Sequence, residues 1–319
     1  MMTSQQVAEL MAKVRAAVSA RVVGQDEVID QALVAFLARG HALLEGVPGT
    51  AKTLLVRVLA GALNARFGRI QFTPDLMPAD ITGINLLRDG GRSAEFRGGP
   101  VFTDLLLADE INRAPAKTQS ALLEAMQERQ VTVDGVARPL GDLFTVFATQ
   151  NPAEYEGTYP LPEAQLDRFL LKIRVPYPAR EAELEMLSKY EAGFDAERAA
   201  DVAVAPVLDE KSCRELRTAV DAVKVAPEVR EYIANIVRAT REDPALTLGG
   251  SPRASVALFR VARGAALLAG RDFATPDDVK GFAFPVLRHR ITVSPEVEVE
   301  GRTSDEVLQA LLLRVAAPQ

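Results

Sequence analysis

The stretch Gly46-Val47-Pro48-Gly49-Thr50-Ala51-Lys52-Thr53 decides the fold predicted for this chain. It follows the apolar run Ala42-Leu43-Leu44 and leads into a leucine-rich helical periodicity that begins at Leu54. A buried strand, a glycine loop and a helix in this order are the context in which the pattern G-x-x-x-x-G-K-[ST] indicates a phosphate site. Backbone N–H groups of such a loop point at phosphate oxygens, and the positive end of the helix faces the same place.

Three residues of this stretch have distinct expected roles. Lys52 can reach the outer phosphates, and the Thr53 hydroxyl can take a ligand position on Mg²⁺. Ala51 stands where the general motif has a second glycine. Because a left-handed conformation costs a residue with a Cβ about 1–2 kcal/mol, we expect Ala51 to be right-handed at the start of the helix. The alternative is a loop and helix that only resemble a phosphate loop.

Composition narrows the class of protein. The chain has 319 residues, with 48% hydrophobic and 25% charged residues, which is typical of soluble globular proteins. Its formal charge of −6 argues against a general nucleic-acid binder, although a local basic strip stays possible. The single cysteine, Cys213, and the absence of a signal peptide predict a cytoplasmic protein. No apolar run is long enough for a membrane span, and His41 is expected to be structural.

A second apolar strand pattern delivers two carboxylates. The run from Thr103 ends in Asp109 and Glu110, and the ends of parallel strands lie at the crevice edge of a sheet. Asp109 is placed to hold the hydration shell of Mg²⁺ opposite Thr53. Glu110 is placed to orient or deprotonate the attacking water. The alternative is a strand-end turn with two solvated acids.

An amide follows the next strand pattern. The apolar segment 143–149 ends before Asn151-Pro152, so Asn151 is expected beside the two acids, where it can hold the attacking water or the γ-phosphate. The alternative is a turn-forming Asn-Pro pair. Further strand patterns complete a predicted five-stranded parallel sheet; the expected strands are 41–45, 69–73, 103–110, 143–149 and 170–175.

Two segments look like insertions into this sheet. Residues 74–100 are too long for a simple connection, and we expect a helix bearing a hairpin or finger with its tip at 89–92. The alternative is an exposed linker. Residues 130–138 contain Asp134-Gly135 between β-branched runs, which predicts a short hairpin. Residues 153–162 are rich in turn formers.

Pro176-Tyr177-Pro178 is the predicted domain boundary, which divides the chain into a phosphate-loop core over 1–178 and a helical domain over 179–319. Helices are expected at 4–20, 26–38 and 115–129 in the core, and at about 180–192, 209–224, 227–241, 252–269, 276–288 and 303–316 in the helical domain. Ser251 caps one helix of the second domain and places Arg253 in its first turn, against the helix dipole. That conflict suggests a bound phosphate; the alternative is an ordinary surface arginine.

With these motifs in order, the chain resembles the MoxR family of AAA+ ATPases over almost its whole length. Val22-Val23-Gly24-Gln25 resembles the adenine-side box that opens the AAA+ core. Gly46–Thr53 resembles Walker A of this family, including its alanine, and Leu105–Glu110 resembles Walker B. The remaining matches are sensor 1 at 148–152, the arginine-finger segment at 159–169, sensor 2 at 250–254, the helix-2 insert at 74–100 and the pre-sensor-1 hairpin at 130–138.

The resemblance implies a P-loop AAA+ core followed by an all-helical lid, and it implies Mg²⁺ and ATP as ligands. The nucleotide would contact Val22, Val23, Gly24 and the stretch from Gly46 to Leu54, with Thr53 and Asp109 on the metal. A homo-oligomeric ring, commonly a hexamer, is expected, in which Arg168 acts on the neighbour's nucleotide. Arg253 could face the same site, and Arg174 is a weaker finger candidate.

MoxR-like ATPases are described as chaperone-like motors that mature other proteins, often beside partners with von Willebrand A domains. Such a partner of this chain would be a separate protein. The motor subunit of a metal chelatase is an alternative, and a nucleic-acid motor is disfavoured by the acidic balance. A nucleotide-gated scaffold without hydrolysis is disfavoured because both carboxylates and the finger are present.

Overall fold

The structure is a computed structural model that describes residues 2–88, 93–152, 158–198 and 202–318. The expected hairpin tip at 89–92 and residues 153–157 of the turn-rich segment lie outside these ranges.

The five strands of the central sheet begin and end within two residues of the predicted segments, and shorter strands pair elsewhere in the described residues. In chain order, the strands are β1 (Ala42–Glu45), β2 (Phe67–Gln71), β3 (Gly83–Arg88), β4 (Ser93–Gly98), β5 (Leu105–Asp109), β6 (Gln130–Val133), β7 (Val136–Pro139), β8 (Thr145–Gln150), β9 (Leu171–Arg174), β10 (Lys224–Val225), β11 (Leu246–Leu248), β12 (Phe273–Ala274) and β13 (Thr292–Val293).

Helices cover both faces of the sheet and make up most of the C-terminal region. They are α1 (Ser4–Ser19), α2 (Asp26–Leu37), α3 (Lys52–Ala62), α4 (Pro78–Thr82), α5 (Ala116–Glu128), α6 (Glu163–Leu166), α7 (Arg180–Glu191), α8 (Glu210–Ala222), α9 (Pro227–Glu242), α10 (Pro252–Leu268), α11 (Pro276–Gly281), α12 (Ala283–Leu287), α13 (Pro295–Val299) and α14 (Ser304–Arg314). Within the described ranges, no helix has the length and apolar character needed to cross a membrane.

The central sheet confirms the predicted fold class. Its order is β2-β5-β8-β1-β9, and every neighbouring pair is parallel. In β5, Leu105 and Leu107 join an apolar cluster on one face, whereas Leu106 and Ala108 join a second cluster on the other. A strand covered on both faces has no polar alternation, which is why these strands read as continuous apolar runs.

The apolar core continues across the predicted domain boundary. The larger cluster contains residues of α1 and α2 together with residues of α8, α9 and α10. In addition, Arg217 of α8 is buried and donates to the backbone oxygens of Phe36 and Asp142. The C-terminal region is helical as predicted, and short strand pairs β10–β12 and β11–β13 join its helices. A boundary at residue 178 stays a prediction.

Antiparallel hairpins occupy both insert segments. β3 pairs with β4, and β6 pairs with β7. Asp134 and Gly135 both have positive φ, 50° and 78°, as a two-residue turn of type I′ requires. The hairpins touch each other, because Asn85 Nδ2 donates to Asp134 Oδ2 over 2.6 Å and the Arg138 guanidinium lies 3.6 Å from the centre of the Phe96 ring.

Candidate functional site

The carboxyl ends of three neighbouring strands meet around one cavity of about 510 Å³. β1 runs into the glycine loop, β5 ends at Asp109, and β8 ends beside Asn151. Most of the predicted site residues line this cavity; they are Val22, Val23, Pro48, Gly49, Thr50, Ala51, Lys52, Thr53, Leu54, Asp109, Glu110 and Asn151. Among the described residues, Gly24, Gly46, Val47, Arg168 and Arg253 are not part of the lining.

The glycine loop is held by its own polar groups. Thr50 Oγ1 donates to the Val47 oxygen over 2.9 Å. Lys52 Nζ donates to the oxygens of Gly46 and Val47, at 2.8 and 2.6 Å. Burial lowers the pKa of Lys52, and the charges of Asp109 and Glu110 oppose that shift. The ammonium group therefore rests on the loop and must turn outward to reach a phosphate.

Ala51 does not have the predicted conformation. Its φ is 62° and its ψ is 20°, so it is left-handed, and the expectation of a right-handed residue is wrong. With Gly49 at φ 83°, two left-handed residues reverse the chain between β1 and α3. Loops with residues in this conformation form concavities of backbone N–H groups that suit anions, at a cost of about 1–2 kcal/mol for the alanine. The Ala51 methyl also packs against the larger apolar cluster.

Asp109 and Thr53 face each other as the sequence predicts. The Thr53 hydroxyl lies 3.5 Å from Asp109 Oδ2, and Thr149 Oγ1 donates to Asp109 Oδ1 over 2.7 Å. Oxygen donors of this kind suit Mg²⁺. The described residues contain no group of three or more His, Cys, Asp and Glu side chains that could hold a metal. The protein thus offers two oxygen ligands, which fits Mg²⁺ because this ion keeps waters and substrate phosphates in its shell.

Glu110 is held at the cavity edge by three contacts. Its backbone is left-handed, with φ 57°, and its N–H donates to Thr149 Oγ1 over 2.8 Å. Gln71 Nε2 donates to Glu110 Oε2 over 2.7 Å, and Arg113 Nε lies 3.1 Å from the same oxygen. The carboxylate is therefore positioned beside the loop, and a water placed against it would gain an acceptor for its proton.

An aromatic pair lies at the far end of the cavity. Tyr190 of α7 and Phe194 meet edge to face, with ring centres 5.7 Å apart. The Arg21 guanidinium lies 6.0 Å from the centre of the Phe194 ring. Val22, Val23 and Met186 add apolar surface to the same cavity. A cavity with both apolar and polar lining suits a ligand with a flat apolar base at one end and phosphates at the other.

The two predicted arginines lie in a separate cavity of about 380 Å³, which shares no lining residue with the first. Arg168 Nη1 donates to the Leu123 oxygen over 3.0 Å, and Arg253 Nη1 lies 3.9 Å from Asp167 Oδ2. The arginines that line this second cavity are Arg39, Arg129, Arg168, Arg253, Arg260 and Arg290. Asp167 is the one acid among the lining residues that the structure describes, so the cavity favours anions.

Burial or contacts within the fold explain the other residues named from the sequence, which are His41, Arg174 and Cys213. His41 Nδ1 accepts from the Val146 N–H over 2.9 Å, so Nε2 carries the proton that faces the Met126 oxygen at 3.1 Å. Burial lowers the pKa of His41 to about 3, which keeps it neutral. Arg174 pairs with Asp305 at 2.7 Å. Burial raises the pKa of the Cys213 thiol to about 12, so it is unreactive near neutral pH.

Several residues of the site were not predicted. Arg69 of β2 contacts Asp109 at the end of β5, and Gln71 of β2 contacts Glu110, the next residue. Their signal is visible in the sequence as polar residues at alternate positions of a core strand, since residues two apart share a face. Tyr190 and Phe194 gave no such signal, because Phe194 lies beyond the end of α7 and the pair forms through the turn at Gly193. Arg129, Arg260 and Arg290 gave no such signal, because they gather only through the tertiary fold.

Comparisons with known proteins agree with this geometry. A sequence model of the ATPase family associated with various cellular activities (AAA) matches residues 41–171, and one of the AAA lid domain matches residues 238–311. The chain is 46% identical to the uncharacterised protein YeaC of Bacillus subtilis strain 168, over 93% of this chain and 91% of YeaC. It is 43% identical to Chaperone MoxR1 of Mycobacterium tuberculosis, over 93% of this chain and 80% of that protein.

A solved structure also matches this chain over nearly its whole length. The crystal structure of a candidate ATPase from Cytophaga hutchinsonii superposes with a TM-score of 0.89 at 39% identity, covering 99% of this chain and 97% of that one. A nucleotide-type phosphate loop, an Asp-Glu strand end and a helical lid define a P-loop ATPase of the AAA+ class. The chain belongs to the MoxR family of AAA+ ATPases.

Proposed function

We propose that this protein is an oligomeric motor that hydrolyses ATP with Mg²⁺ and uses the energy to remodel or mature protein clients. The observation that carries the proposal is the convergence of the phosphate loop, the Thr53–Asp109 pair and Glu110 on one cavity. Water attacks the γ-phosphate in line with the leaving oxygen. Glu110 orients that water, Asn151 supports it or the γ-phosphate, and Lys52 neutralises developing charge.

Mg²⁺ and the nucleotide share the same end of the cavity in this proposal. Thr53 and Asp109 hold the metal, whose role is to neutralise charge on the outer phosphates. The loop from Gly46 to Thr53 and the first residue after it, Leu54, hold the phosphates. Val22, Val23 and Gly24 lie on the adenine side, where Tyr190 and Phe194 offer ring faces to the base.

In a ring of identical subunits, the arginines of the second cavity would have an anion to bind. Arg168 and Arg253 lie away from the phosphate loop of their own chain, beside further arginines that favour an anion. A neighbour's γ-phosphate is such an anion, and an arginine supplied in trans stabilises transition-state charge in this reaction. A head-to-tail contact of this kind closes into a ring, for which we propose a hexamer.

The client is proposed to be a protein. The relative MoxR1 is named a chaperone, and the match covers 93% of this chain and 80% of MoxR1. A separate protein with a von Willebrand A domain is a candidate partner, and the cytosol is the proposed location. Nucleic acid is not proposed as a ligand, because the chain carries a net charge of −6.

Replacing Glu110 by Gln tests the proposed chemistry. Glu110→Gln keeps the shape of the side chain but removes the acceptor charge, so turnover should fall by about 10²-fold or more. Binding of ATP, measured by calorimetry, should change little, because the phosphate loop is untouched. The exposed Glu128→Gln, on α5, is the matched control and should keep full turnover.

Wild-type turnover in Glu110→Gln would remove Glu110 from the mechanism. The same variant retains ATP and can be used to capture clients in cells. Capture that is lost when Lys52→Ala is added would support a client held by the nucleotide-bound motor. Equal capture with and without Lys52→Ala would contradict it.

A further inference from the structure

Arg69 occupies the position at Asp109 that a metal ion would need. It extends from β2, the edge strand beside β5. Its Nη2 and Nε atoms both donate to Asp109 Oδ2, at 2.7 and 3.2 Å. That oxygen is also the one that lies 3.5 Å from the Thr53 hydroxyl. A guanidinium group and the proposed Mg²⁺ thus compete for a single carboxylate oxygen.

When no metal is bound, the Asp109 carboxylate needs another positive charge beside it. The carboxylate is buried, with 8% of the residue exposed, and an unpaired buried charge is strongly disfavoured. The charge of Asp109 opposes the lowering of the Lys52 pKa, but the ammonium group rests on loop oxygens and does not contact the carboxylate. In the described part of the chain, Arg69 is the cation that forms an ion pair with Asp109.

The Arg69–Asp109 ion pair can also open without large changes elsewhere. The Arg69 side chain is 49% exposed, so it can turn into solvent. Its remaining contact is with Gln71 Oε1, which accepts from Nη2 over 2.9 Å. Mg²⁺ requires short, nearly octahedral oxygen contacts, which leaves no room for two guanidinium hydrogens on the same lone pairs.

We propose that Arg69 is a positioning residue that neutralises and holds Asp109 while the metal is absent and releases Oδ2 when Mg²⁺ arrives with the nucleotide. The inference rests on the proposed function of the site. It predicts that loss of Arg69 changes the affinity for the metal and the affinity for metal-free nucleotide in opposite directions. Without Arg69, the metal should bind more tightly, because no cation has to be displaced. Metal-free nucleotide should bind more weakly, because the bare Asp109 charge repels its phosphates.

Arg69→Ala tests both expectations on the whole chain with ADP, which avoids turnover. Electron paramagnetic resonance of Mn²⁺ reports metal binding to the protein–ADP complex, and calorimetry in EDTA reports metal-free ADP binding. We expect Mn²⁺ affinity to rise about 5- to 10-fold, as when a competing closed state is removed. We expect metal-free ADP affinity to fall several-fold.

Arg66→Ala is the matched control. Arg66 pairs with Asp104 at 2.9 Å just before the same strand begins, away from the phosphate loop, so its loss should move neither affinity. Arg69→Lys keeps the charge and should stay near the wild type in both measurements. Circular dichroism checks that each variant is folded.

The remaining outcomes separate this inference from the proposed function. If both affinities fall in Arg69→Ala, Arg69 only supports the shape of the site and the inference is wrong. If neither changes, the Arg69–Asp109 contact has no bearing on the metal and the inference is wrong as well. Failure of the wild-type protein to bind ADP in the presence of Mn²⁺ would instead overturn the proposed function.

Discussion

Ala51 and Glu110 lie on two sides of the same cavity, and both have left-handed backbones, with φ 62° and 57°. Each non-glycine residue in this region costs about 1–2 kcal/mol. The cost at Glu110 is offset by the hydrogen bond from its N–H to Thr149 and by the contacts of its carboxylate. At Ala51 it is offset by packing of the methyl group against the apolar core. Two of the six left-handed non-glycine residues in the described chain therefore line this cavity.

Substitutions at Gly49 and Ala51 test how much the left-handed backbone at each position costs in stability. Gly49 has φ 83° and open space where a methyl group would lie, so Gly49→Ala adds only backbone strain and should destabilise by about 1–2 kcal/mol. Ala51→Gly relieves similar strain but loses methyl packing and gains unfolded-chain entropy, so its net effect should stay within about 1 kcal/mol. Urea unfolding measures both, and a loss above about 2 kcal/mol in Ala51→Gly would mean that packing, not the backbone, dominates.

α7 contributes part of the cavity lining, and none of its residues is buried. Leu184 and Leu187 are exposed on its outer side, at 48% and 63%, while Met186 and Tyr190 line the cavity. One close approach sets its position. A Cβ added to Gly24 would lie 2.4 Å from Cβ of Ala182, so only glycine lets α7 come this near.

Gly24→Ala should therefore displace α7 and weaken binding of the base without touching the phosphate loop. Overpacking of this size costs about 1–3 kcal/mol, which corresponds to a loss of about fivefold or more in ATP affinity. Affinity for tripolyphosphate, which has no base, should be unchanged. Gly301→Ala introduces an alanine at a similar φ of 75° in open space and serves as the control. Equal losses for ATP and tripolyphosphate would contradict a role of α7 at the base.

At the scale of the whole molecule, the phosphate loop and the arginine-lined cavity are separate features of one chain. Burial lowers the pKa of Arg129, Arg260 and Arg290, which shows that positive charge is held there at a cost. An anion from outside the chain would relieve that cost. In the proposed ring, the anion is the neighbour's nucleotide, so neither cavity is complete in a single copy.

Mixing two inactive variants tests that arrangement. Arg168→Ala should lose hydrolysis by about 10³-fold or more while still binding nucleotide, as expected for an arginine finger. Lys52→Ala should lose the phosphate contact but keep the finger. Turnover should reappear in mixed rings, because a Lys52→Ala subunit can supply Arg168 to its neighbour. No turnover should reappear when the partner carries both changes, and a lack of recovery in the first mixture would contradict action in trans.

Local sequence was sufficient for the parts of the site that lie on consecutive residues. The glycine loop, the Asp109-Glu110 pair and Asn151 each follow an apolar strand, and the ends of parallel strands must meet at one edge of the sheet. The conformation of Ala51 was not predictable in this way. Its local preference is right-handed, but in the folded loop between β1 and α3 it is left-handed.

The sequence alone predicts the strand–loop–helix of the glycine motif, the apolar strands of the sheet, the two carboxylates and a resemblance to an ATPase family. Periodicity and turn chemistry act between neighbours in the chain, so they can be read directly. Only the tertiary structure decided that Arg69 sits on Asp109, that Arg168 and Arg253 lie in a cavity apart from the phosphate loop, and that the core runs across residue 178. Those contacts join residues far apart in sequence, and long side chains such as arginine take their partners from the folded surroundings.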